Sequence, residues 1–220
     1  MVTVALSGDG GDELFAGYNK HRAEQMARAN TWLNTVLKFG GSFFETLPQS
    51  RHSKFTNLFR QLNRYATGLN LTARERYWRW CTFQNKDSAL SLLNNRSLIN
   101  SSEIDRIEQD ITSLVTESGD INDILFADMN MVLPNDMLTK VDLMSMANSL
   151  EIRVPLLDYT VVDFAFSLPA NFKLYNGIGK KILKEAFADE LPPELFTRSK
   201  KGFEVPLLKW IRTGLRSVVE

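Results

Sequence analysis

A chain of 220 residues with 26 basic and 26 acidic side chains carries no net charge, which argues against extended binding along a nucleic-acid phosphate backbone. Its 44% hydrophobic content is that of an ordinary globular protein, and no stretch approaches the ~20 apolar residues that would span a bilayer. The single cysteine, Cys81, rules out a disulfide framework or a Cys-based zinc site, and His21 and His52 are too few for a His-rich metal site.

The chain opens with "VTVAL", residues 2–6, short, β-branched and apolar throughout, the pattern of a strand buried on both faces. Helical patterns follow. Residues 12–30 start with Asp12 and Glu13 in the first turn, favourable against the helix dipole, and place Leu14, Tyr18 and Met26 along one side. "FGGSFFETLP" is a break. Helices are predicted over 54–66, 72–83 and 101–117, the second opened by the capping box Thr72–Glu75 and carrying Cys81 as a buried thiol. A long helical pattern over 121–148 is interrupted by Pro134, and Glu151 and Arg153 alternate in the extended "EIRVP" as a buried ion pair. Helices at 158–168, 179–190 and 206–219 complete the reading, with Asp158 as an N-cap and Pro206 in a first turn. The expected architecture is mainly α, with 2–6 as the one substantial strand, lying at an exposed edge. One strand leaves backbone groups unpaired, so the chain reads as a piece of a larger domain whose edge neighbouring copies would cover, a possible homo-oligomer contact.

Chemistry concentrates in "LSGDGGDELFAGY", residues 6–18. A strand, a glycine turn and a helix start set backbone N–H groups where an anion can sit. Asp9, Asp12 and Glu13 would repel a bare phosphate, and Mg²⁺ removes the conflict by taking carboxylate and phosphate oxygens together. The turn therefore suggests a nucleotide or pyrophosphate held through Mg²⁺, with Ser7 and Gly8 close to the ligand. A glycine turn with a capping aspartate explains the same residues without any ligand. Lys180 and Lys181 open a helix, a poor place for cations unless they meet an anion, and Asp142 on the helix at 135–148 is a candidate for a substrate cavity or a plain surface acid.

"SGDGGDELFAGY" resembles a signature of the synthetase domain of glutamine-dependent asparagine synthetases. "LPNDMLTKVDLMSMANSLEIRVPLLDYTVVDFAFSLP", "GKKILKEAF" and "LPPELFTRSKKGFEVPLLKW" continue the likeness in order, while residues 31–120 are weakly diagnostic. The resemblance implies the C-terminal part, over 1–220, of an ATP pyrophosphatase-type (adenine-nucleotide α-hydrolase-like) α/β domain. Such a domain adenylates the aspartate side-chain carboxylate, and ammonia from glutamine then displaces AMP. It implies ATP and Mg²⁺ as cofactors, aspartate or another carboxylate as substrate, and a glutaminase domain as partner. It makes Ser7 and Gly8, with Gly10, ATP contacts, Asp9 the acid at the acyl-adenylate, Asp12 the Mg²⁺ and pyrophosphate acid, and Lys200 the lysine at the phosphates. Glu13, Asp142 and Lys181 are further pocket candidates.

The family's other phosphate signature, Ser-Gly-Gly-x-Asp-Ser, does not occur in these 220 residues. The chain is therefore expected to be inactive on its own. A relative acting on a sugar or other carboxylate acceptor, or a helical interaction module that has lost catalysis, are the alternative readings. The expected compartment is the cytoplasm, with no nucleic-acid or membrane partner.

Overall fold

The computed structural model describes residues 2–29, 31–39, 54–82, 84–95, 99–197 and 206–219. Contacts divide the chain into Met1–Leu183 and Lys184–Glu220. The described residues are mainly helical.

In the first unit, β1 (Val4–Leu6) leads through the glycine turn into α1 (Gly11–Leu14) and α2 (Asn19–Arg28). Then come α3 (Trp32–Phe39), α4 (Lys54–Leu69), α5 (Ala73–Cys81), α6 (Lys86–Ser91), α7 (Ser101–Thr112) and α8 (Ile121–Asn130). The capping box forms as expected: the Glu75 backbone N–H reaches Thr72 Oγ1 at 3.3 Å, and the Thr72 backbone N–H reaches Glu75 Oε2 at 2.9 Å. Thr72→Ala should cost about 1 kcal/mol, read as a lowered urea midpoint at constant slope.

The pattern over 121–148 breaks at Pro134, but not into two plain helices. A wide π-turn, Leu133–Leu138, joins α8 to α9 (Thr139–Met146). Proline lacks an N–H and its ring crowds the carbonyl four residues back, so the helix widens, and Thr139 Oγ1 caps the Pro134 carbonyl at 2.7 Å.

The single-strand expectation is overturned. "EIR" forms β2 (Glu151–Arg153), which pairs in parallel with β1, Val4 opposite Glu151 and Leu6 opposite Arg153. The expected burial of "VTVAL" on both faces also fails: Val2 and Leu6 are 70% and 74% exposed. Two strands suffice to satisfy one edge of β1 but cannot cover the faces of a parallel sheet. Glu151 and Arg153 do pair, at 2.8 Å, but exposed rather than buried.

Beyond β2, a 3-10 turn Pro155–Leu157 leads to α10 (Tyr159–Ser167), capped as expected by Asp158, which accepts from the Thr160 N–H at 2.9 Å. Next, α11 (Ala170–Lys173) runs into a second small sheet, the antiparallel hairpin β3 (Leu174–Tyr175) and β4 (Ile178–Gly179), and then α12 (Lys181–Ala186).

The core centres on α8. Ile121, Ile124, Leu125 and Ala127 bury against Tyr77 of α5, Val115 and Leu174. Burial of each large side chain contributes roughly 1.5–3 kcal/mol. A second cluster joins Leu14 and Phe15 to Ala165, with Leu156, Leu157 and Ile182 around it, so the segment after the glycine turn is anchored from below.

In the second unit, which begins within α12, the elements that follow are α13 (Glu194–Thr197), α14 (Leu207–Arg212) and α15 (Arg216–Val219). The helix expected over 206–219 begins after Pro206 but divides at Thr213–Leu215, where the Thr213 and Leu215 N–H groups both return to the Trp210 carbonyl at 3.1 and 2.8 Å.

Candidate functional site

The turn between β1 and α1 is stitched to the sheet and to itself. The Ser7 N–H donates to the Arg153 carbonyl at 2.9 Å, extending the β1–β2 ladder by one bond. The Ser7 hydroxyl donates to Asp9 Oδ2 at 2.5 Å, while Gly11 N–H closes on the Gly8 carbonyl at 3.3 Å. Gly10 sits at φ 82, and a Cβ there would meet Leu157 Cδ2 at 2.3 Å, so both the backbone conformation and the packing require glycine. Ser7, Gly8, Gly10 and Asp9 thus share one turn, and Gly8 is exposed at its tip.

The helix expected over 12–30 is broken. After the single turn of α1, Ala16 takes φ 60, and α2 starts afresh at Asn19. The break buries Leu14 and leaves Met26 exposed, so the two do not share a stripe. A non-glycine residue in the left-handed region costs roughly 1–2 kcal/mol and persists only where its surroundings impose it.

Here the surroundings are β4 and the residue after it. The Lys180 N–H donates to the Phe15 carbonyl at 2.8 Å, and a Cβ on Gly179 would stand 2.2 Å from the Ala16 carbonyl oxygen. Lys180 itself has φ 55. This close approach delivers the Lys180 ammonium to Asp12, Nζ to Oδ1 2.9 Å, with both side chains partly exposed.

The three acids of the turn therefore have different fates. Asp9 is tied to Ser7 and Asp12 to Lys180. Glu13 turns inward, buried, where it accepts from the Tyr18 hydroxyl at 2.6 Å. Burial holds the Glu13 carboxyl above its ordinary range, against the Tyr18 hydrogen bond that lowers it. Glu13 is accordingly a buried support of the turn and not a solvent-facing pocket residue. Lys181 lies beside Lys180 but faces aromatic rings, its Nζ 5.6 Å from the Phe172 centroid and 5.9 Å from that of Tyr175. Asp142 is exposed on α9, its carbonyl accepting from Ser145 Oγ at 3.2 Å. Lys200, with Arg198, Lys201, Gly202 and the "FGGSFFETLP" break after Phe39, lies outside the described residues.

A buried polar cluster stands behind the turn, unmarked by any sequence motif. Asp128 of α8 is fully buried and accepts from Lys20 Nζ at 2.6 Å and the Tyr77 hydroxyl at 3.0 Å, with His21 Nε2 at 2.8 Å. Burial alone would raise its carboxyl, but the His21 hydrogen bond and the Lys20 charge carry it below the usual range. Burial lowers His21, outweighing Asp128. Cys81, half-buried rather than fully so, accepts from Lys20 Nζ at 3.3 Å, and burial raises its thiol. A second cluster locks Glu24 between Arg76, at 2.7 Å to each carboxylate oxygen, and Arg28, at 2.7 Å. Together these ties fix α2, and with it the bend below Asp12, to α5 and α8.

Among the described residues no group of three His, Cys, Asp or Glu side chains forms a metal cage. Mg²⁺ does not require one, since it is held by one or two carboxylates together with phosphate oxygens and water. A single partly exposed carboxylate beside a glycine turn, as at Asp12, fits that mode. Among the described residues no helix is long and apolar enough to cross a membrane.

The asparagine synthase family model matches residues 1–220. The chain belongs to this family. It is similar to asparagine synthetase 1 of Bacillus subtilis, 31% identical over 99% of this chain and 33% of that protein. It is likewise similar to a putative asparagine synthetase of Mycobacterium tuberculosis, 33% identical over 97% of this chain and 31% of that one. A probable asparagine synthetase of Acanthamoeba polyphaga mimivirus is 41% identical over 58 residues, 26% of this chain and 10% of its own length. The chain thus spans about a third of the length of the full-coverage relatives. No solved structure matches it.

Proposed function

We propose that this chain carries the ATP-handling turn of an amide-forming ligase, within an ATP pyrophosphatase-type α/β domain of which residues 1–220 are the C-terminal portion. In the reaction a carboxylate oxygen of aspartate attacks the α-phosphorus of ATP and the bond to pyrophosphate breaks. Ammonia, derived from glutamine by a glutaminase domain, then attacks the activated acyl carbon. AMP leaves with the acyl C–O electrons and the ammonium loses its proton. The relatives named asparagine synthetase support aspartate as the acceptor.

The observation that carries the reading is the turn itself, a left-handed Gly10 closing Ser7–Gly11 over a carboxylate–ammonium pair. The half-buried Ser7 and the exposed Gly8 form the rim against which a nucleotide would lie. Asp9, held by the Ser7 hydroxyl, is the acid that would stand beside the acyl centre and meet the incoming ammonia. Asp12 would hold Mg²⁺, which when bound neutralises the departing pyrophosphate. By the family resemblance Lys200 would add a cation at the same charge, and positioned cations act most strongly where water is excluded.

In-line adenylation also requires a cradle for the pyrophosphate, and Ser-Gly-Gly-x-Asp-Ser is not encoded in these residues. The experiment is pyrophosphate release from ATP with aspartate and ammonia, which bypasses any glutaminase. The 220-residue chain is expected to give no aspartate-dependent release. A longer polypeptide bearing both signatures should release pyrophosphate and lose that release with Asp12→Asn. Full turnover by that variant would remove Asp12 from the mechanism, and replacing aspartate by other carboxylates in the same assay tests the acceptor.

A further inference from the structure

The contact between Lys180 and Asp12 joins two separately built parts of the first unit. Asp12 comes from the one-turn helix behind the glycine turn, and Lys180 from the end of the β3–β4 hairpin. That hairpin turns through Asn176 and Gly177, both at positive φ, and the Lys180 backbone is fixed to Phe15 at 2.8 Å. The lysine backbone is therefore held, and its side chain is about a third exposed to solvent. Its Nζ lies 3.6 Å from where a Gly11 Cβ would stand, so the ammonium is next to the glycine turn as well as to Asp12.

We propose that Lys180 occupies the place of a divalent cation on Asp12, and that ammonium and metal exchange there when a metal–phosphate ligand arrives. The inference rests on the reading of Asp12 as the metal-binding carboxylate. A hard divalent cation needs the carboxylate oxygen at about 2.0–2.1 Å, and an ammonium already 2.9 Å from that oxygen would stand within a few ångströms of the metal, like charge against like. The two cations exclude each other from Oδ1. The carboxylate keeps a counter-charge at all times, first from lysine and then from metal. The displaced ammonium, tethered by its fixed backbone, stays beside the glycine turn, where a phosphate group would give it a new partner.

Manganese(II) serves as the probe, titrated into the full chain and followed by the loss of the free-ion electron paramagnetic resonance signal. Without any phosphate, Lys180→Met should tighten Mn²⁺ binding by about two- to fivefold, because the competing cation is gone. Lys180→Arg, which keeps the charge, should bind as the parent does. With inorganic pyrophosphate, which complexes the free ion by itself, the Mn²⁺–pyrophosphate pair is followed by equilibrium dialysis against the protein; there the order should reverse, the parent holding the pair more tightly than Lys180→Met.

Asp12→Asn should weaken Mn²⁺ in either background. Equal or weaker phosphate-free binding by Lys180→Met, alongside a clear loss in Asp12→Asn, overturns the exchange alone. Indifference of Mn²⁺ to Asp12→Asn overturns the metal assignment on which it rests. Lys180→Gln, retaining the length and polarity of the side chain, provides the same comparison if the methionine variant does not fold.

Discussion

Replacing Asp128 by alanine should cost about 3–5 kcal/mol, the figure typical of stranding the partners of a buried charge. The carboxylate is fully buried on α8 and is met from α2 by Lys20 and His21 and from α5 by Tyr77. Deleting it leaves the mostly buried Lys20 ammonium with only the weak Cys81 sulfur acceptor, takes the carboxylate from the buried Tyr77 phenol, and removes the tie between three helices. Equilibrium urea unfolding measures this. Asp128→Asn, which keeps one acceptor oxygen for Tyr77 or Lys20, should cost less than the alanine. A loss under 1 kcal/mol for the alanine would mean that the cluster is not holding the helices.

The same cluster sets an acid limit. His21 has its folded value below the ordinary 6.5, so the unfolded chain takes a proton there first, and stability declines as pH falls below about 6.5. Asp128, also lowered when folded, contributes stability that is complete above its ordinary 3.8 and is lost as pH falls through its folded value.

The turn and its acids stand out in sequence because glycine and charge are local signals, and the helix caps at Thr72 and Asp158 are equally local. What escapes a local reading depends on residues far away in the chain. "EIR" is only three residues long and becomes a strand because β1, nearly 150 positions earlier, offers a parallel edge. The bend after α1 falls on an alanine, which carries no mark of a left-handed residue. It exists because Gly179 and Lys180 press against its carbonyl side. That press also selects between adjacent lysines: the helix-start argument applies equally to Lys180 and Lys181, and only the left-handed backbone at Lys180 turns its ammonium to Asp12. Likewise, Asp12 and Glu13 are indistinguishable in the motif, and the phase of a one-turn helix sends Glu13 inward to Tyr18.

Lys173→Met should stabilise the protein at neutral pH by about 1–3 kcal/mol, the usual penalty for a buried polar group without a partner. Lys173 ends α11, is fully buried, and its Nζ has no hydrogen-bond partner among the described residues. The compensation visible there is the Phe166 ring, 4.6 Å from Nζ, which offsets part of the cost of a desolvated cation. Burial accordingly lowers the Lys173 amine from 10.5 to about 8, opposed by the charge of Asp120. Between pH 8 and 10.5 the unfolded chain binds the proton that the folded chain has released, so the stability of the parent rises with pH across that window. Methionine keeps the unbranched shape and a favourable sulfur–aromatic contact with Phe166, and it has no charge to desolvate. The advantage of Lys173→Met should therefore be full below pH 8 and shrink toward pH 10.5, a pH-dependent difference that ordinary core repacking would not produce. Urea midpoints of both proteins at pH 7 and pH 10 test it. An equal difference at the two pH values, or a methionine variant that is less stable at pH 7, would show that the buried amine is satisfied in solution.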